Sequence, residues 1–305
     1  MKIVIIGAGA MGCLYGAKLS LVPENKVYLL AARAEYVDAI NSKGILLESD
    51  GEIASYKNVV ASTETSAMNY ADLVIVFVKS HGTKRAVLGN VEMLKTAKSV
   101  LTLQNGLGNA EIISEAIGTS NVLAGTTAHG ALAIEPGKVR HAGVGPTVIG
   151  EASGSATDRT RSICELLNTA GIETAVSDDI TSVIWKKLLV NVGINALVGI
   201  TKLKNGELLD HQSLLEIMSL AVAEAVEVAN AKGVDIGDIN HFARAKEVAE
   251  ATAQNKASML QDILNNRETE IEMINGAIVR EGNKLGIATP ANLVLTNLIR
   301  FIQKQ

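Results

Sequence analysis

With 305 residues the chain exceeds what one hydrophobic core usually serves, and a composition 48% hydrophobic and 20% charged lets each of two domains bury a core of its own. A formal net charge of -4 leaves no long basic stripe, which argues against nucleic acid as a partner. The two cysteines, Cys13 and Cys164, stand without a CxxC or a histidine cluster at ligand spacing, which argues against a disulfide framework and a metal site and points to a reducing, cytoplasmic compartment.

The chain begins "KIVIIGAGAMGCLYGAKLS". A β-branched run, Ile3 to Ile6, turns at glycines and continues as helix-compatible sequence from Met11 to Leu19. The apolar stretch Ile3 to Ala17 reads as mature sequence and not as a leader, because Gly7, Gly9, Gly12 and Gly16 punctuate it at turn and helix spacing. No run reaches the roughly 18 uninterrupted apolar residues of a membrane span, so no membrane partner is expected. Further strands are expected at Val27 to Ala31, Leu73 to Val78 and Ser99 to Leu103. Their continuous apolar character and long crossovers predict a parallel sheet covered on both faces. Short strands at Val122 to Thr126, Gly130 to Ile134, Thr147 to Ile149 and Thr174 to Val176 complete this half, with Glu151 to Thr160 a surface loop before a helix. The strand pattern stops near Ser177. Beyond it only helices are expected: Ile180 to Val198, Leu214 to Lys232, Ile239 to Ala253, Thr269 to Leu285 and Ala291 to Ile302. The expected domains are therefore 1–177 and 178–305.

"GAGAMG" places Gly7, Gly9, Ala10, Met11 and Gly12 between a strand and a helix, where G-x-G-x-x-G binds a dinucleotide. The motif alone is weak evidence; its strand-turn-helix setting gives it weight. At the end of the second strand, "LLAARAE" offers Arg33 where an NAD site usually has an acid, and a guanidinium suits the 2′-phosphate of NADP. Glu35, two residues on, leaves a solvated Arg/Glu pair as the plainer reading. Lys79 follows the third strand, and Gln104, Asn105 and Gly106 follow the fourth; both positions are strand carboxyl ends, where ligands of open α/β sheets collect. In "WKKLLVNVGIN", Lys187, Asn191 and Asn195 recur every fourth residue, stacking an ammonium and two amides on one helical stripe. Such a stripe either satisfies backbone groups in a packing seam or lines a polar site.

These motifs, with "QNG", "KNGEL" and "SMLQDILNNRETEIEMINGAIVREGNKLGIATP", resemble the ketopantoate reductase (2-dehydropantoate 2-reductase) family along nearly the whole chain. The resemblance implies an α/β fold class: an N-terminal Rossmann-type parallel-sheet domain that binds NADP, followed by an all-helical C-terminal substrate domain. It implies NADPH-dependent reduction of 2-dehydropantoate to (R)-pantoate, a step in pantothenate and coenzyme A biosynthesis. Carried over by motif, Lys187 is the general acid and Glu270 its acidic partner. Asn191, Asn195, Asn205, Asn255 and Ser258 bind substrate, and Asn105 meets both cofactor and substrate. The chemistry fits: hydride transfer to a ketone builds negative charge on oxygen, which an ammonium both stabilises and protonates. Thr269 and Glu272 are expected to cap the helix that Glu270 opens.

His129 and His141 are expected in structural or surface roles, Cys13 as a small packing residue, and Met218, Met259 and Met273 on helical faces. The run Glu224 to Gly233 is a candidate surface for a homodimer. One alternative keeps the chemistry and moves the substrate to another branched 2-keto or 2-hydroxy acid with NAD or NADP. Another is a non-catalytic NADP-binding sensor, against which stand Lys187 and Glu270.

Overall fold

The computed structural model describes residues 1–65 and 70–305. Two compact units emerge, one formed by Met1–Gln104 with Asn109–Ile180, the other by Asn105–Gly108 with Thr181–Gln305.

The first unit runs β1 (Lys2–Ile6), α1 (Ala10–Leu19), β2 (Lys26–Leu30), α2 (Ala34–Lys43), β3 (Ile45–Ser49), β4 (Glu52–Tyr56), β5 (Val59–Ser62), β6 (Leu73–Val76), α3 (Thr83–Gly89), α4 (Val91–Thr96), β7 (Ser99–Thr102), α5 (Asn109–Ile117), β8 (Val122–Thr127), β9 (Gly130–Glu135), β10 (Lys138–Gly143), β11 (Thr147–Glu151), α6 (Asp158–Thr169) and β12 (Thr174–Val176). Eight strands form one sheet in the order β12-β11-β8-β7-β6-β1-β2-β5. From β5 to β8 the pairing is parallel throughout, and counted along the chain those six strands stand in the 3-2-1-4-5-6 order of a dinucleotide-binding sheet. β11 runs antiparallel to β8, so the sheet is mixed at one end and not wholly parallel as the apolar runs predict. Residues at β1, β6 and β7 are buried on both faces, which explains why their sequences are continuous runs without alternation.

A second sheet, β4-β3-β10-β9, was not expected; α1 packs against it as well as against the large sheet. Burial on both sides explains why α1 has no polar face: Cys13, Leu14, Tyr15, Ala17 and Leu19 are all inaccessible.

The second unit contains α7 (Ile180–Thr201), which begins on the last residue of the first, then α8 (Gln212–Ala231), α9 (His241–Ala251), α10 (Ser258–Leu264), α11 (Asn275–Leu285) and α12 (Pro290–Ile302). α7 is its core helix: Trp185, Leu188, Leu189, Val192 and Leu197 join Met218, Val222, Leu260, Ile278 and Ile299 in one apolar cluster. By length and composition alone α7 could cross a membrane, yet 61% of its most apolar window is buried inside the protein. The expected helix Thr269–Leu285 is instead a 3-10 turn, Ile271–Met273, followed by α11. The cap is also different from expectation. The Thr269 hydroxyl donates to Gln303 Oε1 at 2.8 Å while accepting from the Ile271 N–H at 3.4 Å, and Glu272 pairs with Arg300 at 2.6 Å, so a contact remote in sequence draws Glu272 away from the reciprocal half of the cap.

Candidate active site

In the first unit β1 and β6 are adjacent where strand order reverses, the position at which open α/β sheets bind ligands. Gly7 follows β1 with φ +114°, and a β carbon there would lie 2.8 Å from the Val78 nitrogen; one on Gly12 would lie 1.9 Å from the Gly7 oxygen. Packing therefore dictates both glycines. Gly9 is different: a β carbon on it meets nothing within 4 Å, so the open side of the turn lies over its backbone. Ala10 and Met11 start α1, whose N-terminus has no side-chain cap. Free helical N–H groups, the positive end of the helix dipole and an unobstructed backbone together fit a pyrophosphate.

Arg33 caps the start of α2, exposed, with its guanidinium 2.9 Å from Glu35 and 4.7 Å over the Tyr36 ring. Lys79 is exposed at the entry to the 3-10 turn Ser80–Gly82. Gln104 ties the loops after β6 and β7 together, donating to the Val78 carbonyl at 2.6 Å and to Thr83 Oγ1 at 2.8 Å.

In the second unit three predicted residues come together. Lys187 Nζ donates to Asn105 Oδ1 at 2.8 Å, and Asn105 Nδ2 donates to Glu270 Oε2 at 3.3 Å. A neutral amide thus stands between ammonium and carboxylate, its carbonyl toward the cation and its N–H toward the anion. Lys187 as a residue is half-buried, but desolvation of its ammonium pulls the pKa down to about 8, against the opposing field of Glu270, which raises it. An ammonium so tuned is still largely charged at neutral pH and gives up its proton more readily than an exposed lysine. Asn191 and Asn195 follow at one and two turns on α7, the first half-buried and the second buried.

Asn205 and Asn255 form a second group. Asn205 accepts no hydrogen bond from the described residues at its buried Oδ1, while its Nδ2 donates to Thr252 Oγ1 at 2.8 Å and its backbone N–H to the Asn255 carbonyl at 3.0 Å. Asn255 is exposed, and Ser258, half-buried, starts α10. No hydrogen bond joins Ser258 to the Lys187 group among those described. His129 and His141 hydrogen-bond each other at 3.0 Å in the first unit. Sequence reasoning missed Leu107, Thr252 and the Met273 carbonyl as supports of these groups. No local pattern marks them, since a main-chain carbonyl has no residue signature.

Two family models match the chain: Ketopantoate reductase PanE/ApbA over residues 3–154 and Ketopantoate reductase PanE/ApbA C terminal over residues 179–303. The chain belongs to the ketopantoate reductase family. Among its relatives is the 2-dehydropantoate 2-reductase of Halobacterium salinarum, 38% identical over 100% of this chain and 99% of that one. Among solved structures, a PanE/ApbA family ketopantoate reductase from Ralstonia eutropha JMP134 superposes with TM-score 0.91 at 35% identity, covering 100% of this chain and 99% of its own. A D-mandelate dehydrogenase solved with NADH and anilino(oxo)acetate superposes with TM-score 0.92 at 30% identity over 100% of this chain and 98% of its own. The ketopantoate reductase fold, a Rossmann-type sheet unit and a helical unit, is thus shared by relatives named for two different substrates.

Proposed function

We propose that this chain reduces 2-dehydropantoate to (R)-pantoate with NADPH, as a step toward pantothenate and coenzyme A. The observation that carries the reading is the Lys187 ammonium, held by Asn105 in the field of Glu270. NADPH, when bound, supplies the hydride. Gly7, Gly9, Ala10, Met11 and Gly12 hold its pyrophosphate, Arg33 its 2′-phosphate, and Lys79 and Asn105 its remaining polar groups. We take residues 1–177 as the NADP-binding domain and 178–305 as the substrate domain.

Lys187 donates its proton to the ketone oxygen as charge develops there, and Asn105 and Glu270 keep the ammonium aimed and charged until that moment. Asn191, Asn195, Asn205, Asn255 and Ser258 hold the hydroxyl and carboxylate of the substrate. The buried, unpartnered Oδ1 of Asn205 suits a hydroxyl donor, because a buried carbonyl without a hydrogen bond costs about 1–3 kcal/mol until a ligand supplies one.

A second reading keeps this mechanism and changes the substrate to another branched 2-keto acid reduced with NADH. The likeness to a D-mandelate dehydrogenase solved with NADH favours it. Nicotinamide oxidation by the purified protein separates the two: ketopantoate is compared with other 2-keto acids, and NADPH with NADH. Preferential turnover of ketopantoate with NADPH is expected. Faster turnover of a keto acid lacking the hydroxyl moves the substrate, and tight NADPH binding without any turnover leaves a sensor.

A further inference from the structure

Residues 105–108 are flanked in sequence on both sides by the sheet-containing unit, yet they belong to the helical one. Three contacts account for this. The Leu107 N–H donates to the Met273 carbonyl at 2.8 Å, and the Leu107 side chain packs against the apolar cluster of the helical unit. Gly106 lies against the same carbonyl in a left-handed conformation, φ +86°, where a β carbon would fall 2.1 Å from the Met273 oxygen. Asn105, two residues before Leu107, accepts from Lys187 and donates to the Glu270 carboxylate. The short segment Glu270 to Met273 therefore grips the loop twice, by a side chain at Asn105 and by the main chain at Leu107.

A hydrogen bond to Asn105 alone leaves its side chain two rotatable bonds from the backbone. Fixing the backbone on the next two residues removes that freedom and sets where its carbonyl meets the ammonium. We propose that Gly106 and Leu107 are positioning residues for the acid: docked on Met273, they hold the Asn105 amide between Lys187 and Glu270. This rests on the reading of Lys187 as the proton donor.

Gly106 has the sharper requirement, because any side chain meets main-chain atoms of Met273 that cannot rotate away, and because its φ is one that other residues rarely adopt. Leu107 has the milder one, since truncation leaves its N–H bond to Met273 intact. The Asn105 carbonyl accepts a hydrogen bond from the ammonium, so its displacement removes an interaction that favours the charged form and shifts the lysine toward its neutral form.

The test uses the full-length protein with Gly106→Ala and Leu107→Ala, measuring kcat and both KM values from neutral to alkaline pH beside a thermal melt. Expected are a fall in kcat on the order of 100-fold in Gly106→Ala and a smaller fall in Leu107→Ala. The alkaline limb of kcat moves to lower pH by about one unit in Gly106→Ala and in the same direction in Leu107→Ala. Should Gly106→Ala fail to fold, Leu107→Ala decides. A limb that stays in place in the folded variant overturns the proposal. Lys187→Ala is assayed in parallel: if it keeps its turnover the reading of the acid fails, whereas if it loses turnover and the loop variants keep the limb, only the positioning role fails.

Discussion

Arg33, which we propose selects the 2′-phosphate, is loosely held in the structure. Its partner Glu35 is more than half exposed, as it is itself, and exposed ion pairs contribute about 0–1 kcal/mol. The guanidinium also lies 4.7 Å over the Tyr36 ring, a contact released at similarly small cost. A 2′-phosphate offers two parallel charge-assisted hydrogen bonds in exchange. Arg33→Ala is therefore expected to lower kcat/KM for NADPH about tenfold to a hundredfold, with NADH hardly affected. Steady-state kinetics with both nucleotides reads this directly. An equal loss with each would move the discrimination to Glu35 or elsewhere on the strand end.

Among elements, the junction of the two sheets in the first unit carries its own titration. His129, just before β9, is buried and bonds His141 on β10. Beneath it the hydroxyls of Tyr15 on α1, Thr127 on β8 and Thr147 on β11 bond one another at 2.8–3.0 Å, and Thr127 Oγ1 accepts from the His129 N–H. Burial lowers both histidines below their ordinary range. The charge of Lys18 on α1 lowers both further, His141 also lowers His129, and the Gly143 carbonyl on both and Asp50 on His141 act the other way. The folded state thus prefers the neutral rings, and the unfolded chain binds more protons below the ordinary histidine pKa of about 6.5. Stability is complete above that value and declines as pH falls from it through the depressed folded values. Denaturant midpoints measured between neutral and mildly acidic pH should fall, and His141→Gln should flatten the slope; an unchanged slope would assign it to other groups.

The same junction explains what the sequence did and did not disclose. Strands β1, β6 and β7 are legible because burial on both faces leaves only apolar residues. β3, β4, β5 and β10 are not: β4 is exposed at four of five positions, and the β3–β10 pairing that joins two hairpins into one sheet comes from far along the chain. α10 has only seven residues, too few for a periodicity. For the candidate site, motif resemblance paired Lys187 with Glu270 and singled out Asn105 apart from them. The bonds joining them span 82 and 165 residues, beyond the reach of any local pattern. Met273, read as an ordinary helical-face residue, contributes through its main chain, about which side-chain identity is silent.

At the scale of the whole molecule, the likeness to the Halobacterium salinarum relative runs over 100% of this chain. That continuity hides an interleaving, because the helical unit includes four residues, Asn105–Gly108, encoded well before the rest of it. A linear cut near residue 178 therefore does not separate the two bodies along their physical boundary. Chimeras that exchange residues 178–305 with a relative would seat a foreign 270–273 segment on the resident 105–108 loop. Such chimeras should fold and bind nucleotide yet lose kcat, and transplanting the donor's own 105–108 equivalent should recover it, as rates of the paired chimeras would reveal. On that expectation recombination between family members is constrained at a site far upstream of the crossover, because four residues of the helical unit are written in the N-terminal half of the chain.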